Sequence, residues 1–260
     1  MEDDVMKKVA IITGASSGIG REFAIQIAQK YKTVEEIWLI ARRKDKLAET
    51  KKMINSVSKK LVRILALDLT KENDIRFYNS ILERQDPSVR VLVNAAGYGI
   101  AGHFEDMPYE DITGMIDLNC RALAAITKIT LPYMSGPSNI INVASVAAFL
   151  PQPSFAIYAA TKSMVLSLSR ALGRELSDRN ITVTAVCPGP VKTEFFEIAE
   201  KYTKTKSYKS LFRVKPEAVV KKALFDAYYL CDVSVYSPAM HVLRVLCKVV
   251  PHKIAISFLK

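Results

Sequence analysis

Six short apolar runs recur along the chain, at Lys8–Thr13, Glu36–Ala41, Leu61–Leu67, Val89–Gly97, Ile140–Ser145 and Ile181–Val186. Segments of helical length separate most of them: amphipathic stretches reach from the first glycine-rich turn to about Tyr31, then cover about Lys44–Ser58, Pro108–Tyr133 and 155–177. When strands alternate with helices, each helix crosses back over the sheet and the strands come to lie parallel. A short continuous apolar run such as Val9–Ile12 suits a strand buried on both faces. The expected fold is therefore α/β, a parallel sheet with helices on both faces, with Val233–Ser237 as a seventh strand. Ligands of such sheets bind beyond the carboxyl ends of the strands.

Several polar and glycine-bearing segments fall at those ends. Thr13-Gly14-Ala-Ser16-Ser17-Gly18-Ile19-Gly20 joins the first strand to the first helix. Its glycines let the backbone approach a ligand, and the helix N-terminus offers free N–H groups to a phosphate. The spacing is G-x-x-x-G-x-G rather than G-x-G-x-x-G. After the second strand, NAD binding would call for an acidic residue to hold the ribose diol. Arg42-Arg43 stands there instead. Guanidinium groups suit a ribose 2′-phosphate, so the expected cofactor is NADP(H), with solvated helix-start arginines as the plainer alternative. Asp68-Leu69-Thr70 follows the third strand, where Asp68 can accept from an adenine amino group or cap a helix. Gly97 closes Asn94-Ala95-Ala96-Gly97 and permits close approach of the backbone to a cofactor.

Tyr158 and Lys162 lie four apart in Tyr158-Ala-Ala-Thr-Lys162, so a helix projects both from one face. An ammonium beside a phenol stabilises the phenolate and is expected to pull its pKa from about 10 toward working pH. That is the property of a general acid/base for alcohol–ketone chemistry. Ser145, thirteen residues upstream of Tyr158, can offer a hydroxyl to the same substrate oxygen. Asn119 sits inside an expected helix, where asparagine needs a polar partner or a solvated position.

Composition narrows the class. At 260 residues with 50% hydrophobic residues and no internal repeat, the chain is long enough for one sizeable core. The stretch 1–8 lacks the apolar core of a signal peptide, and no apolar stretch reaches membrane-spanning length. The 4 cysteines form no close pair and the 3 histidines are scattered, so neither a disulfide framework nor a metal site is expected and the thiols read as reduced and cytoplasmic. The formal net charge is +11, and residues 192–260 hold 13 Lys/Arg against 6 Asp/Glu. These cations are interspersed with apolar residues rather than clustered with exposed aromatics, which reads as a solvated basic surface and not as a nucleic-acid site.

Taken together, these residues resemble the short-chain dehydrogenase/reductase family over about residues 7–230. The resemblance implies one Rossmann-type domain over 1–260, and Asn119, Ser145, Tyr158 and Lys162 match the catalytic tetrad. It implies Tyr158 as acid/base, Ser145 orienting the carbonyl, Lys162 binding the nicotinamide ribose and lowering the tyrosine pKa, and Asn119 holding a water in a proton relay. Against the cofactor it sets Gly14, Ser16, Ser17, Gly18, Ile19, Asp68, Leu69, Asn94, Ala95 and Gly97. Pro188, Gly189, Val191 and Thr193 match the nicotinamide-side turn. Ala95 replaces the second asparagine of the family's Asn-Asn-Ala-Gly motif. Family members pair through the helices around 108–134 and 155–177, which implies a homodimer or homotetramer.

The substrate pocket is expected from 98–104, Val146–Phe155 and a lid over 190–215. Phe149, Phe155, Phe195 and Phe196 would make it apolar, suited to a hydroxysteroid-like ketone or alcohol or to a 3-oxoacyl group, or would form the lid's own core. A non-catalytic NADP(H)-binding regulator is the alternative of another class. The basic apolar tail, 238–260, should form a helix broken by Pro251, with Leu243, Leu246, Val249 and Val250 near one face and Ile254, Ile256 and Phe258 beyond the break. Packing of this tail on protein is expected over contact with a membrane surface.

Overall fold

The computed structural model describes residues 6–201 and 213–257. Seven parallel strands form one sheet in the order β3-β2-β1-β4-β5-β6-β7. They are β1 (Lys8–Thr13), β2 (Glu36–Ala41), β3 (Leu61–Ala66), β4 (Ser88–Asn94), β5 (Ser138–Val143), β6 (Ile181–Val186) and β7 (Val233–Ser234). The order reverses between β1 and β4, the place where a parallel sheet opens a crevice for ligand.

Alternate residues of each strand feed opposite layers. Ala10, Ile12, Ile37, Leu39, Val91 and Val93 share one core with α1 (Gly18–Lys30), α2 (Lys44–Val57) and α8 (Pro216–Tyr228), through Phe23, Ile27, Leu47, Ile54, Val220 and Leu224. Val9, Ile11, Trp38, Ile40, Leu92 and Ile140 pack the other way, against α3 (Glu72–Gln85) and α5 (Leu123–Thr130), through Tyr78, Leu82 and Ile126. At roughly 1.5–3 kcal/mol for each large side chain removed from water, these two layers dominate the fold's stability. On the second side α6 (Ala156–Glu175) packs over β6 and contributes Val165 to a smaller cluster with Ala185, Cys187, Val233 and Val235.

Five elements differ from the sequence reading, the first being β4, which was expected to run to Gly97 and ends at Asn94. Helix α3 was not foreseen; only Ile75, Tyr78, Ile81 and Leu82 are buried on it, so its apolar stripe is narrow. The stretch expected as one helix over Pro108–Tyr133 is divided. It comprises α4 (Tyr109–Ile116), a π turn over Asp117–Ala122, α5, and a 3-10 turn over Leu131–Tyr133 that carries Pro132. Strand β5 ends at Val143, so Ser145 lies beyond it. Strand β7 pairs only through Ala185 with Val233 and Val186 with Ser234. It stops there because β6 itself ends at Val186; the last bond across is from the Cys187 amide to the Ser234 carbonyl, at 2.8 Å. The tail forms α9 (Pro238–Val249) and α10 (His252–Ser257), separated at Pro251 as expected; Phe258 lies outside the described residues.

Candidate active site

The turn after β1 is built for close approach. Gly14 has φ +67°, and a Cβ there would lie 2.7 Å from the Ala95 carbonyl and the Ala96 nitrogen. Only glycine lets the two strand ends come this near. Thr13 Oγ1 locks the contact by accepting from the amides of Ala95 and Ala96, both at 3.1 Å. The turn's Ser16 and Ser17 precede Gly18 and Ile19, which open α1, and Gly18 lies against Thr193. Val191, buried, bridges to Val214, and Thr193 caps the approach to α7 (Phe195–Ala199) by accepting from the Phe195 amide at 3.4 Å.

Arg42 and Arg43 end β2 and are exposed. Arg43 Nη2 donates to Ser17 Oγ at 3.2 Å and to Glu194 Oε2 at 2.7 Å. The Arg43 hydrogen bond holds the Glu194 carboxyl below its usual range. At the end of β3, Asp68 Oδ1 accepts from the Thr70 amide at 3.1 Å and from its hydroxyl at 2.7 Å. Burial raises the Asp68 pKa, but the Thr70 bonds, Arg42 and Lys71 outweigh it and hold the carboxyl low. Asp68 therefore closes a local turn and is not the cap of α3, which begins after Lys71. Leu69 beside it is buried.

Asn94 turns its side chain away from the crevice. Its Nδ2 donates to Thr127 Oγ1 and Asn142 Oδ1, both at 2.9 Å, tying β4 to α5 and β5. A cofactor would meet the main chain at 94–97. Ala95 packs on the core instead of presenting a polar group.

The four residues expected to form the tetrad are all buried and come from three different elements. Asn119 occupies the π turn. Its Oδ1 accepts from the Tyr98 amide at 3.0 Å, and its Nδ2 donates to the Tyr98 carbonyl at 2.8 Å and to Thr161 Oγ1 at 3.0 Å. Of the two positions open to it in the sequence, Asn119 takes the one with polar partners. A Cβ on Gly97 would lie 2.8 Å from Asn119 Oδ1 and 3.4 Å from Lys162 Nζ, so the glycine keeps those two groups together. Ser145 begins the turn over Val146–Phe149, its Oγ accepting from the Ala147 amide at 3.1 Å. Tyr158 and Lys162 rise from the first turns of α6, the Lys162 Nζ standing 5.7 Å from the Tyr158 ring centroid.

The electrostatics correct one expectation. Burial pushes the Tyr158 phenol up to about 12, against a smaller lowering by the Ser145 hydroxyl. Lys162 does not pull it down, because Lys162 Nζ donates to the Val143 carbonyl at 2.7 Å and is aimed at the end of β5. Burial lowers Lys162 itself to about 8. Desolvation disfavours the charged form of both groups and dominates both shifts.

Around Tyr158 the walls are aromatic. Its ring stacks on Phe155 at 4.4 Å between centroids and meets Phe195 at 5.4 Å. Phe196 turns aside under the Arg213 guanidinium, 3.8 Å away. Phe149 belongs elsewhere, packing with Leu166 and Met240 beneath the tail. The loop after Gly97 is tied to α7 by Ala101 N–H to the Ala199 carbonyl at 2.9 Å. Of the expected lid, 202–212 lies outside the described residues. At the nicotinamide-side turn, the Pro188 carbonyl accepts from the Val146 amide at 3.0 Å, and Gly189 lies against Met240. Glu194, Thr161 and Tyr98 were missed in the sequence. Each acts through a partner distant in the chain, which no local spacing records.

The short chain dehydrogenase family profile matches residues 8–203. An uncharacterised oxidoreductase of Staphylococcus epidermidis is 31% identical over 195 residues, 74% of this chain and 82% of that protein. Among solved structures, a short-chain dehydrogenase from Sphingobium yanoikuyae in complex with NADPH is 31% identical with a TM-score of 0.78, covering 94% of this chain and 92% of that one. A 3-ketoacyl-(acyl-carrier-protein) reductase from Brucella melitensis complexed with NADH is 26% identical with a TM-score of 0.71, covering 88% and 95%. A seven-stranded parallel sheet with this strand order, a glycine turn pressed on the end of β4 and a profile match over three-quarters of the length make the chain an oxidoreductase of the short chain dehydrogenase family.

Proposed function

We propose that this protein is an NADPH-dependent reductase of bulky lipophilic ketones, with Ser145, Tyr158, Lys162 and Asn119 as its working residues. The observation that carries the reading is the convergence of these four buried side chains beside the Gly14 turn. The cradle suits a dinucleotide: Gly14 lets the ends of β1 and β4 close together, Gly97 holds Asn119 and Lys162 beside them, and Ser16, Ser17 and the amides at the start of α1 suit a pyrophosphate. Arg42 and Arg43, with no carboxylate at the end of β2, support the 2′-phosphate form. NADPH, when bound, supplies a hydride to the carbonyl carbon.

Ser145 Oγ–H donates to the carbonyl oxygen, and the Tyr158 hydroxyl delivers its proton to that oxygen as the carbon is reduced. A phenol held at about 12 is protonated at neutral pH, which is the form that reduction consumes. Lys162, as the ammonium, offsets the phenolate left behind. The side-chain amide of Asn119 is spent on Tyr98 and Thr161, so its part in any proton relay runs through its main-chain carbonyl; π turns of this kind recur at functional sites. Phe155 and Phe195 give the substrate an apolar wall. The Brucella likeness supports 3-oxoacyl groups as the second substrate class. Exposed Tyr109 and Ile116 on α4 and Met164 on α6 support a homo-oligomer paired through those helices.

The test is turnover of a carbonyl panel containing steroid, aryl and 3-oxoacyl ketones, with NADPH and with NADH. Reduction of bulky ketones with NADPH preferred is expected. Tight NADPH binding without turnover of any ketone would replace this reading with that of a cofactor-binding regulator, and equal use of NADH would remove the 2′-phosphate assignment.

A further inference from the structure

The tail folds back on the body of the protein and leaves a cavity beneath it. The inner side of α9 is fixed where Cys247 is buried, where Met240 lies against Gly189, and where His241 Nε2 lies 3.0 Å from the Val235 carbonyl. Between the tail and α6 a space of ≈ 230 Å³ stays open. Its floor is apolar, formed by Phe149 from the turn that Ser145 begins, Leu166 from α6 and Val233 from β7. Phe149 and Leu166 are only half-buried, so the cavity leaves hydrocarbon in contact with water. None of Asn119, Ser145, Tyr158 and Lys162 lines it.

Cations surround that floor. Arg170 of α6 and Arg244 and Lys248 of α9 line the same space, and no Asp or Glu lines it. Arg170 is engaged through Nε with Asp232 Oδ2 at 3.1 Å. Arg244 and Lys248 enter no ion pair among the described residues, and 238–260 contains no Asp or Glu. Like charges gathered around one space repel, and a bound anion would relieve them. The two halves of the lining select one kind of ligand. A small hydrated anion would answer the cations and leave the floor wet; a neutral lipid would cover the floor and leave the cations unanswered. An anionic head on a hydrocarbon chain meets both, with a guanidinium fork to take the head and apolar side chains to cover the tail. The space is smaller than the roughly 300–1,000 Å³ of sites for drug-sized ligands, so the chain is short.

We propose that the cavity between the tail and α6 is a second binding site, separate from the candidate active site, for a medium-chain amphipathic anion. Its head, a carboxylate or a phosphate, sits on Arg244 and Lys248, and its chain lies along Phe149 and Leu166. The site adjoins the candidate active site from behind. Ala148, beside Phe149 in the turn that Ser145 begins, accepts from Ser163 Oγ of α6 at 3.1 Å, and Leu166 and Arg170 follow Lys162 along α6 at intervals of four. An occupant therefore rests on the two elements that carry Ser145 and Lys162.

The experiment is isothermal titration of the full chain with octanoate and with octyl phosphate, against octanol, acetate and inorganic phosphate, each of which carries only one half of the pattern. Octanoate or octyl phosphate should bind with a dissociation constant of about 1 mM or below, at least ~10-fold tighter than any of the three controls, and should raise the melting temperature. The tighter of the two identifies the head. Lys248→Glu, at an exposed position, and Arg244→Gln should each weaken that binding by at least ~10-fold while the circular dichroism of the free protein stays the same. Absence of binding by both amphiphiles, a control that binds as tightly, or wild-type affinity in both variants overturns the proposal. So does light scattering in which Lys248→Glu halves the mass of a protein that binds neither amphiphile, because the cavity is then covered by a second copy.

Discussion

Arg43 Nη2 lies 2.7 Å from Glu194 Oε2, so a guanidinium at the end of β2 is tied to a carboxylate in the segment that follows β6. The same guanidinium reaches Ser17 Oγ at 3.2 Å, at the edge of the glycine turn. A 2′-phosphate bound there would compete with Glu194 for Arg43, and two anions would share one cation.

Glu194→Gln should therefore tighten NADPH binding and leave NADH nearly unchanged. A charge-assisted hydrogen bond is worth about 1.5–3 kcal/mol in isolation. Both side chains are close to half exposed and solvent screening reduces the effect, so a fall of roughly 3- to 10-fold in the NADPH dissociation constant is expected. Fluorescence titration with each nucleotide reads it directly. Unchanged or weaker NADPH binding in the variant would mean that Glu194 does not oppose the phosphate.

The pH dependence follows from two buried groups with opposite shifts. Lys162, lowered by burial to about 8, is an ammonium below that pH and loses its charge above it. Tyr158, raised by burial to about 12, keeps its proton through the whole accessible range. Turnover in the reductive direction should thus be level near neutrality and fall as pH rises past about 8, with one limb rather than two. Whatever activity Lys162→Arg retains should lack that limb, because guanidinium stays charged. A wild-type profile that remains level to about pH 10 would contradict the assignment.

Gly97→Ala tests the close packing of the site. The added Cβ would stand 2.8 Å from Asn119 Oδ1, and that amide cannot retreat while Tyr98 and Thr161 hold it. Overpacking of this kind costs about 1–3 kcal/mol, and the resulting shift of Asn119 and Lys162 should lower turnover by at least ~10-fold. Gly102→Ala is the control: its Cβ would meet only Met107 Cε, at an ordinary 3.6 Å. Equal behaviour of the two variants in melting and turnover would show that the approach at Gly97 is not tight.

The parts of this architecture that were legible in the chain are those written in local spacing. Continuous apolar runs marked six strands, glycines marked the turn after β1, and an interval of four put Tyr158 and Lys162 on one face of α6. The π turn at Asp117–Ala122 was not legible, because one extra residue in a helical turn leaves the apolar pattern of α4 and α5 nearly intact. Helix α3 was overlooked because only Ile75, Tyr78, Ile81 and Leu82 on it are buried, too narrow an apolar stripe to stand out. The pKa of Tyr158 was misjudged for a different reason: proximity of a lysine is visible in sequence, but burial and the pull of the Val143 carbonyl on that lysine are not. In α9 both faces are apolar, so periodicity alone could not say which one turns inward.

Asn119 carries the last prediction, which separates a structural amide from a purely chemical one. Its side chain satisfies the Tyr98 N–H and carbonyl and bonds Thr161 Oγ1, at 3.0, 2.8 and 3.0 Å. Thr161 Oγ1 in turn donates to the Tyr158 carbonyl at 2.8 Å, so one amide joins the loop after β4 to the first turns of α6. Asn119→Ala removes all three bonds and leaves main-chain groups unpaired in a buried place. Each such group costs about 1–3 kcal/mol, and partial relaxation of the loop brings the expected loss to roughly 2–4 kcal/mol. Asn119→Asp keeps an acceptor for the Tyr98 amide but, when ionised, has no N–H for the Tyr98 carbonyl or Thr161, so it should fall between wild type and alanine. Urea denaturation of the three proteins, followed by tryptophan fluorescence of Trp38, measures the order, and turnover of the same samples should follow it. An alanine variant with the wild-type urea midpoint but no activity would show that the side-chain amide acts in the chemistry itself, which would overturn both its role in supporting Tyr158 and a relay through the main-chain carbonyl alone.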